Sequence, residues 1–246
     1  MAAVTPLLST RGLSRSFGGL RAVDEVDFDL PAGEIRAIIG PNGAGKTTFV
    51  GLICGRLAPS AGRVVFDGRD ITGMPAHRRV RAGIAYTFQI TSVFARLSAF
   101  DNVALSVQRR LLDAGAGRPG RARLEAGVDR ALARVGLAGH AATLAGNLSY
   151  GHQRLLEVAM GLALEPRLLI LDEPTQGLSD GEIAAFIALV REIAEDATVL
   201  LIEHNMHVVM ELAGRITVME SGRILAEGEP AAIRADPAVQ QAYLGG

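Results

Sequence analysis

At 246 residues, with 49% hydrophobic and 21% charged residues, the chain is globular in composition and long enough for one large or two small domains. A formal net charge of -1 gives no chain-wide pull toward nucleic acid or anionic lipid, and 4% aromatics without tryptophan argues against stacking on single strands. The single cysteine, Cys54, excludes an internal disulfide and suits a reducing compartment, and no run approaches the ~20 apolar residues of a membrane span.

In chain order, residues 8 to 30 alternate short strand-like runs with turn residues, which predicts antiparallel pieces ahead of the core. Between them Phe17 sits at a Gly18-Gly19 turn, suited either to stacking on a base or to ordinary partial burial. Glu34 to Ile39 then reads as a buried strand and Thr48 to Cys54 as the first turns of an apolar helix. The loop joining them, Gly40-Pro41-Asn42-Gly43-Ala44-Gly45-Lys46-Thr47-Thr48, fits the phosphate-binding pattern G-x-x-x-x-G-K-[ST] at every defined position. Its glycines let successive N–H groups point inward, and the helix N-terminus adds positive potential for an anion. Lys46 is the only lysine among 25 basic residues. A compact ammonium fits between phosphates inside a tight loop where a wide guanidinium does not.

Gly62 to Ile71 predicts a hairpin around Asp67-Gly68, Pro75 to Arg81 a short basic helix, and Gly83 to Gln89 a strand ending in a polar amide. Residues 90 to 147 change character: alanine, leucine and arginine dominate, and Gly115 to Gly120 breaks two helical patterns. Arginines 109, 110, 118, 121, 123, 130 and 134, interspersed with Asp113, Glu125 and Asp129, are expected to form a solvated helix face. The insert ends in Leu148-Ser149-Tyr150-Gly151-His152-Gln153, where Ser149 and Gly151 stand at a helix start.

Leu168 to Leu171 is an unbroken apolar run, expected to be a central parallel strand, and it ends in Asp172-Glu173-Pro174. Carboxylates at such a strand end face the ligand crevice of an open α/β sheet, and two of them call for a cation. Asp172 with Thr47 is placed to hold Mg²⁺, and Glu173 to polarise an attacking water. Thr198 to Ile202 repeats the design and ends at Glu203-His204, putting His204 beside the same crevice. A hairpin around Ser221-Gly222 and a closing helix complete the pattern.

The order of phosphate loop, strand-end glutamine, helical insert, Leu-Ser-Tyr-Gly-His-Gln, strand-Asp-Glu-Pro and strand-Glu-His resembles the ATP-binding-cassette ATPases over essentially the whole chain. The resemblance implies an α/β fold with a RecA-like P-loop NTPase core, an N-terminal antiparallel β subdomain and an inserted α-helical subdomain. It forms one domain over 1–246, with the core at 1–89 and 155–246 and the insert at 90–154. By resemblance, Phe17 stacks on adenine, the loop from Gly40 to Thr48 binds ATP, and Thr47, Gln89 and Asp172 hold Mg²⁺. Glu173, His204 and Gln89 serve catalysis, with Gln89 also linking the phosphate site to a transmembrane partner. Ser149 and Gly151 reach the γ-phosphate, and Asp180 lies on the Gly177 to Asp180 loop that crosses the dimer interface. The family pattern LSGGQ is altered, with Tyr150 for the first glycine and His152 for the glutamine, so a protonatable His152 is expected to make turnover pH-sensitive.

The implied partners are a second cassette, alike or related, two permease subunits for which residues 90 to 97 offer apolar contacts, and indirectly a periplasmic or extracellular solute-binding protein, with no nucleic acid. The implied place is the cytoplasmic face of the inner membrane, peripherally. Ser16 to Val23, the Leu-Ser-Tyr-Gly signature and the Ala-Tyr-Leu-Gly-Gly ending are similar to ATPase subunits of branched-chain amino-acid uptake and their urea or amide relatives. The ATPase of lipopolysaccharide export and a soluble non-transport cassette stand as alternatives.

Overall fold

The computed structural model describes residues 5–87, 92–113 and 120–244. The chain opens with strands β1 (Leu8–Phe17) and β2 (Leu20–Leu30), then β3 (Ile35–Ile39), helix α1 (Lys46–Ile53), the hairpin β4 (Ala61–Phe66) and β5 (Arg69–Asp70), α2 (Ala76–Arg81) and β6 (Ile84–Thr87). Helices α3 (Ala99–Asp113) and α4 (Arg121–Arg134) and two short 3-10 turns lead to α5 (Tyr150–Leu162). The rest is β7 (Leu168–Asp172), α6 (Asp180–Ile193), β8 (Thr198–Ile202), α7 (Met206–Leu212), β9 (Arg215–Glu220), β10 (Arg223–Gly228), α8 (Pro230–Ala235) and α9 (Pro237–Leu244).

Two sheets result, an antiparallel one in the order β2-β1-β4-β5 and a six-stranded one in the order β10-β9-β3-β8-β7-β6. Within the second, β9, β3, β8, β7 and β6 run parallel and only β10 is reversed. Every residue of β7 and β8 is buried. Alternation explains why the sequence shows no polar face: Leu169, Leu171, Val199 and Leu201 pack toward α3 to α6, while Leu168, Ile170, Leu200 and Ile202 pack toward α1 and the antiparallel sheet. On that second side Phe28 and Phe49 meet edge to face, with centroids 5.5 Å apart.

Two local expectations change, and one element gains a buried role. The pieces expected at 8 to 30 are two strands of 10 and 11 residues, because Gly12, at φ 56, forms an irregularity in the β1–β2 register rather than a turn. The short basic helix α2 forms as expected, with one of its arginines buried. Arg79 is 1% exposed and donates to the carbonyls of Leu52 and Ile53 (both 2.7 Å), Met74 (2.8 Å) and Thr72 (2.9 Å), which places a cation at the C-terminal end of α1. Ion pairs, made by the insert's Arg110 and Arg134 and by Arg81 of α2, tie the insert to the core, so its arginines do not all simply face water. Arg81 pairs with Asp113 at 3.1 Å, Arg110 with Glu165, and Arg134 with Asp196 at 3.1 Å and Glu192 at 3.6 Å; Arg118 lies outside the described residues.

Helix α5 belongs to both regions, packing on α3 and α4 and on β6, and position 155 falls within it. Cys54 is buried among apolar side chains, which pushes its thiol up to about 12 and leaves it inert.

Replacing Arg79 by Met leaves several buried carbonyls dry, an expected loss of about 3 kcal/mol from the stability. Urea unfolding of Arg79→Met against the parent measures it, and an unchanged midpoint contradicts the bracing role.

Candidate nucleotide-binding site

The parallel strands β3, β8 and β7 are neighbours, and each ends on the same edge of the sheet. Their C-terminal ends deliver in turn the loop from Gly40, the pair Glu203-His204 and the pair Asp172-Glu173. This is where open α/β sheets bind ligands. A cleft of about 590 Å³ opens there, lined by Phe17 and Leu20 at one end, by the loop from Asn42 to Thr48, and by Glu173 and His204.

The loop's curl requires its glycines. Gly40 and Gly45 adopt φ of 148° and 99°, and a Cβ on either would stand 2.1 Å from the Met219 carbonyl or 2.3 Å from that of Ala22. Gly45 precedes the first residue of α1, Lys46, which is 6% exposed. Lys46 Nζ donates to the carbonyls of Gly40 at 2.7 Å and Pro41 at 3.0 Å. Burial pulls its pKa down, opposed by Glu173 and Asp172. Thr47, next on α1, is exposed and lines the cleft.

Asp172 is 1% exposed, and Tyr86 on β6 donates its hydroxyl to Asp172 Oδ2 at 2.6 Å. Burial lifts the Asp172 carboxyl above its ordinary value, Tyr86's bond and Lys46's charge oppose this, and Glu173 adds to it. Burial and the same bond to a carboxylate raise the Tyr86 hydroxyl. Glu173 takes φ 47, a left-handed backbone that a non-glycine residue adopts at a cost, while its N–H stays bonded to the Ile202 carbonyl at 2.8 Å. His204 Nε2 lies 2.9 Å from Glu173 Oε1, so the two cleft-lining groups meet directly.

Phe17 stands at the mouth, 43% exposed, with the Arg15 guanidinium 4.6 Å from its ring centroid. Hard oxygens from the buried Asp172 and from Thr47 suit Mg²⁺ by donor type, and the acid pair is what such a cation would neutralise. Gln89 lies outside the described residues, but the chain resumes at Ser92, whose N–H donates to Glu157 Oε1 at 2.5 Å.

Ser149, Gly151 and Asp180 do not line this cleft. Ser149 is exposed at the start of α5 and accepts the His152 N–H at 3.2 Å, Gly151 is buried against the start of α6, and Asp180 is exposed on α6. The His152 ring packs on His140 with centroids 4.8 Å apart.

Four side chains that shape the site carry no role in the sequence reading. Tyr86 and Arg15 act through tertiary neighbours that no local pattern shows, and Glu157 is hidden inside α5. Glu203 carries a legible signal, an acid at the end of an apolar strand, the same signal that singles out Asp172.

Residues 23–176 match the family model described as ABC transporter, which is more than half of the chain. The chain belongs to the ABC transporter family. Residues 223–246 of this cassette also match the model described as branched-chain amino acid ATP-binding cassette transporter. The cassette is 40% identical over 251 residues to the high-affinity branched-chain amino acid transport ATP-binding protein LivG of Escherichia coli, covering 98% of each chain. It is 37% identical over 250 residues to the corresponding protein BraF of Pseudomonas aeruginosa, again with 98% of each covered. Among solved structures, a nucleotide-free ATP-binding cassette from an ABC transporter superimposes with a TM-score of 0.87 at 28% identity, covering 98% of this chain and 99% of that one.

The raised Asp172 carboxyl makes a prediction for the nucleotide-free cassette. The unfolded carboxyl loses its proton near 3.8, whereas the folded one holds its proton to higher pH. Stability is therefore lost as pH climbs from the unfolded toward the folded value, and the whole penalty is present at neutral pH. Asp172→Asn, which still accepts from Tyr86, is expected to melt higher than the parent at about pH 7 and to converge with it toward about pH 4. Thermal unfolding across that range checks this, and a lower melting temperature at neutral pH opposes it.

Proposed function

We propose that this cassette binds and hydrolyses ATP as the motor subunit of a branched-chain amino-acid importer. One observation carries the reading: a single cleft brings the phosphate loop with Lys46 and Thr47, the strand-end acid Glu173 and the facing His204 together, with an aromatic ring at its mouth. The C-terminal match and the full-length likeness to LivG and BraF favour this cargo class over lipopolysaccharide export or a non-transport role.

In this reading amides of the loop from Asn42 to Thr48, other than that of Ala44, which donates to the Pro41 carbonyl at 3.2 Å, and the Lys46 ammonium hold the β- and γ-phosphates. The face of Phe17 not covered by Arg15 takes the adenine. Asp172, Thr47 and Gln89 hold Mg²⁺, which when bound neutralises charge on the phosphoryl oxygens. Tyr86 occupies one Asp172 oxygen and so fixes the direction of the other. Glu173 orients a water in line with the γ-phosphate and accepts its proton, while His204, whose Nε2 holds the Glu173 carboxylate in the empty cleft, turns that N–H to the γ-phosphate when nucleotide is bound.

A lone chain lacks part of this machinery at its own cleft, since Ser149, Gly151 and Asp180 point elsewhere. They supply a second cassette's nucleotide, and that cassette returns the same groups. ATP then closes the pair, and hydrolysis removes the γ-phosphate contacts that held it closed. The permease docks where the core meets the insert. An apolar hollow of about 240 Å³ lies there between β6, α2 and α5, and beyond Ser92 the Phe94 side chain is 54% exposed, while Val93 packs inward on the insert. This fixes the cassette to the cytoplasmic membrane face, downstream of an external solute-binding protein. Among the described residues no helix is long and apolar enough to cross a membrane.

Glu173→Gln keeps the shape of the cleft and removes the proton acceptor. It is expected to bind ATP within about twofold of the parent while steady-state hydrolysis falls about a hundredfold or more. Fluorescent-nucleotide titration and phosphate release measure the two, and hydrolysis at the parent's rate eliminates the assigned role. Phe94→Glu should retain ATP binding and melting temperature but lose sedimentation with permease-containing membranes. Undiminished co-sedimentation rejects the docking site.

A further inference from the structure

Glu203 directly follows β8, the strand that lies between the one leading to the phosphate loop and the one ending in Asp172, and it is 3% exposed. Its two carboxylate oxygens divide their neighbours. Oε1 accepts the Thr175 N–H at 3.0 Å and the Thr175 hydroxyl, and Oε2 accepts the N–H groups of His204 at 2.7 Å and Asn205 at 3.0 Å. Charge-assisted bonds of this kind are the strong ones, and three of the four bind backbone, so the carboxylate fixes chain position rather than side-chain rotamers.

The two halves of this clamp lead to different surfaces. On the Oε2 side, His204 lines the cleft and touches Glu173, and Asn205 accepts the N–H groups of His207 at 3.0 Å and Val208 at 3.4 Å at the start of α7. On the Oε1 side, the Thr175 carbonyl accepts the Leu178 N–H at 3.2 Å, and Ser179 donates its N–H and hydroxyl to Glu182 at 2.8 and 2.7 Å. That segment abuts the signature. A Cβ on Gly151 would come within 2.3 Å of Glu182 Oε1, and one on Gly177 within 3.0 Å of the Tyr150 ring. The chain of contact therefore runs from His204 through one buried carboxylate to residues 175–182 and on to Ser149-Tyr150-Gly151.

We propose that Glu203 is a positioning residue that couples the cassette's own nucleotide cleft, through Thr175, to the loop and signature that it offers to its partner. The proposal rests on the reading above, in which the cleft holds ATP and residues 149–151 and 180 face a second cassette. Moving the backbone at His204 and Asn205 without the backbone at Thr175 leaves a buried carboxylate half-satisfied, so the two segments shift together. A γ-phosphate engaged by His204 is thereby registered at the signature before the partner arrives. Tyr150, which departs from the family's glycine, is the side chain that receives the shift against Gly177.

Hydrogen–deuterium exchange of the full chain tests this, read by mass spectrometry with and without Mg²⁺ and a non-hydrolysable ATP analogue, at a concentration where light scattering shows monomer. In the parent, nucleotide should slow exchange at residues 40–48 and, by at least about threefold, at 174–182 and 148–153. Glu203→Gln keeps the shape but turns a donor amide toward N–H groups. It should protect 40–48 as the parent does, while the response at 174–182 and 148–153 falls to less than about a third. Thr175→Val removes only the hydroxyl donor, should give an intermediate response, and decides the question if Glu203→Gln does not fold. A purely structural pin would speed exchange at 174–182 equally with and without nucleotide, and that unchanged ratio overturns the coupling. So does a parent that protects 40–48 alone. Absent protection at 40–48 in the parent removes the nucleotide reading itself, and this inference with it.

Discussion

The cleft depends on holding several ionisable groups close together, with Lys46 and Asp172 buried beneath its open mouth. Lys46 is buried against two carbonyls of its own loop, Asp172 is buried under the hydroxyl of Tyr86, and Glu173 is held against His204. Each ionisable group has a polar neighbour fixed by backbone or by a neighbouring strand, which offsets part of the cost of burying it. The arrangement is possible because β3, β8 and β7 are adjacent and parallel, which brings three chain segments to one edge with all their carbonyl ends pointing the same way. The left-handed backbone at Glu173 is tolerated because its N–H stays tied to the neighbouring strand while its side chain turns into the cleft.

Much of this is legible in the sequence because it is local. The phosphate loop is a contiguous pattern, the apolar runs of β7 and β8 announce strands buried on both faces, and the acids that follow them stand out by contrast with the leucines before them. The Asp67-Gly68 turn is readable for the same reason, since two successive left-handed residues, at φ 51 and 72, favour that dipeptide. What stays hidden is long-range. Arg79 looks like one basic residue among several on α2, and only the fold reveals that it faces the end of α1. Gly12 signals a turn in any local reading, but the pairing of β1 with two neighbours makes it an irregularity inside a strand. Arg15 covers one face of Phe17 because β1 places them on one side two residues apart, a geometry that exists only because the strand continues that far.

The altered signature has a packing explanation. Where the family has glycine, Tyr150 lies with the Arg154 guanidinium 5.5 Å from its ring centroid and with Gly177 against its edge, so the larger side chain, 44% exposed, lies against the loop before α6. Ser149 remains exposed beside it, and Gly151 is kept where Glu182 leaves no room for a Cβ. The substitution thus adds a contact within the chain while leaving the outward-facing hydroxyl in place.

The seam between insert and core joins two kinds of adhesive. A continuous apolar cluster runs from α3 and α4 through α5 to β7, and around its rim stand ion pairs such as Arg81 with Asp113 and Arg134 with Asp196. Half-exposed pairs of this type contribute about 0–1 kcal/mol each and weaken as electrolyte rises, whereas the apolar contact does not. The apolar centre therefore carries most of the attachment between insert and core, and the ionic strength of the surroundings adjusts only what the charged rim adds.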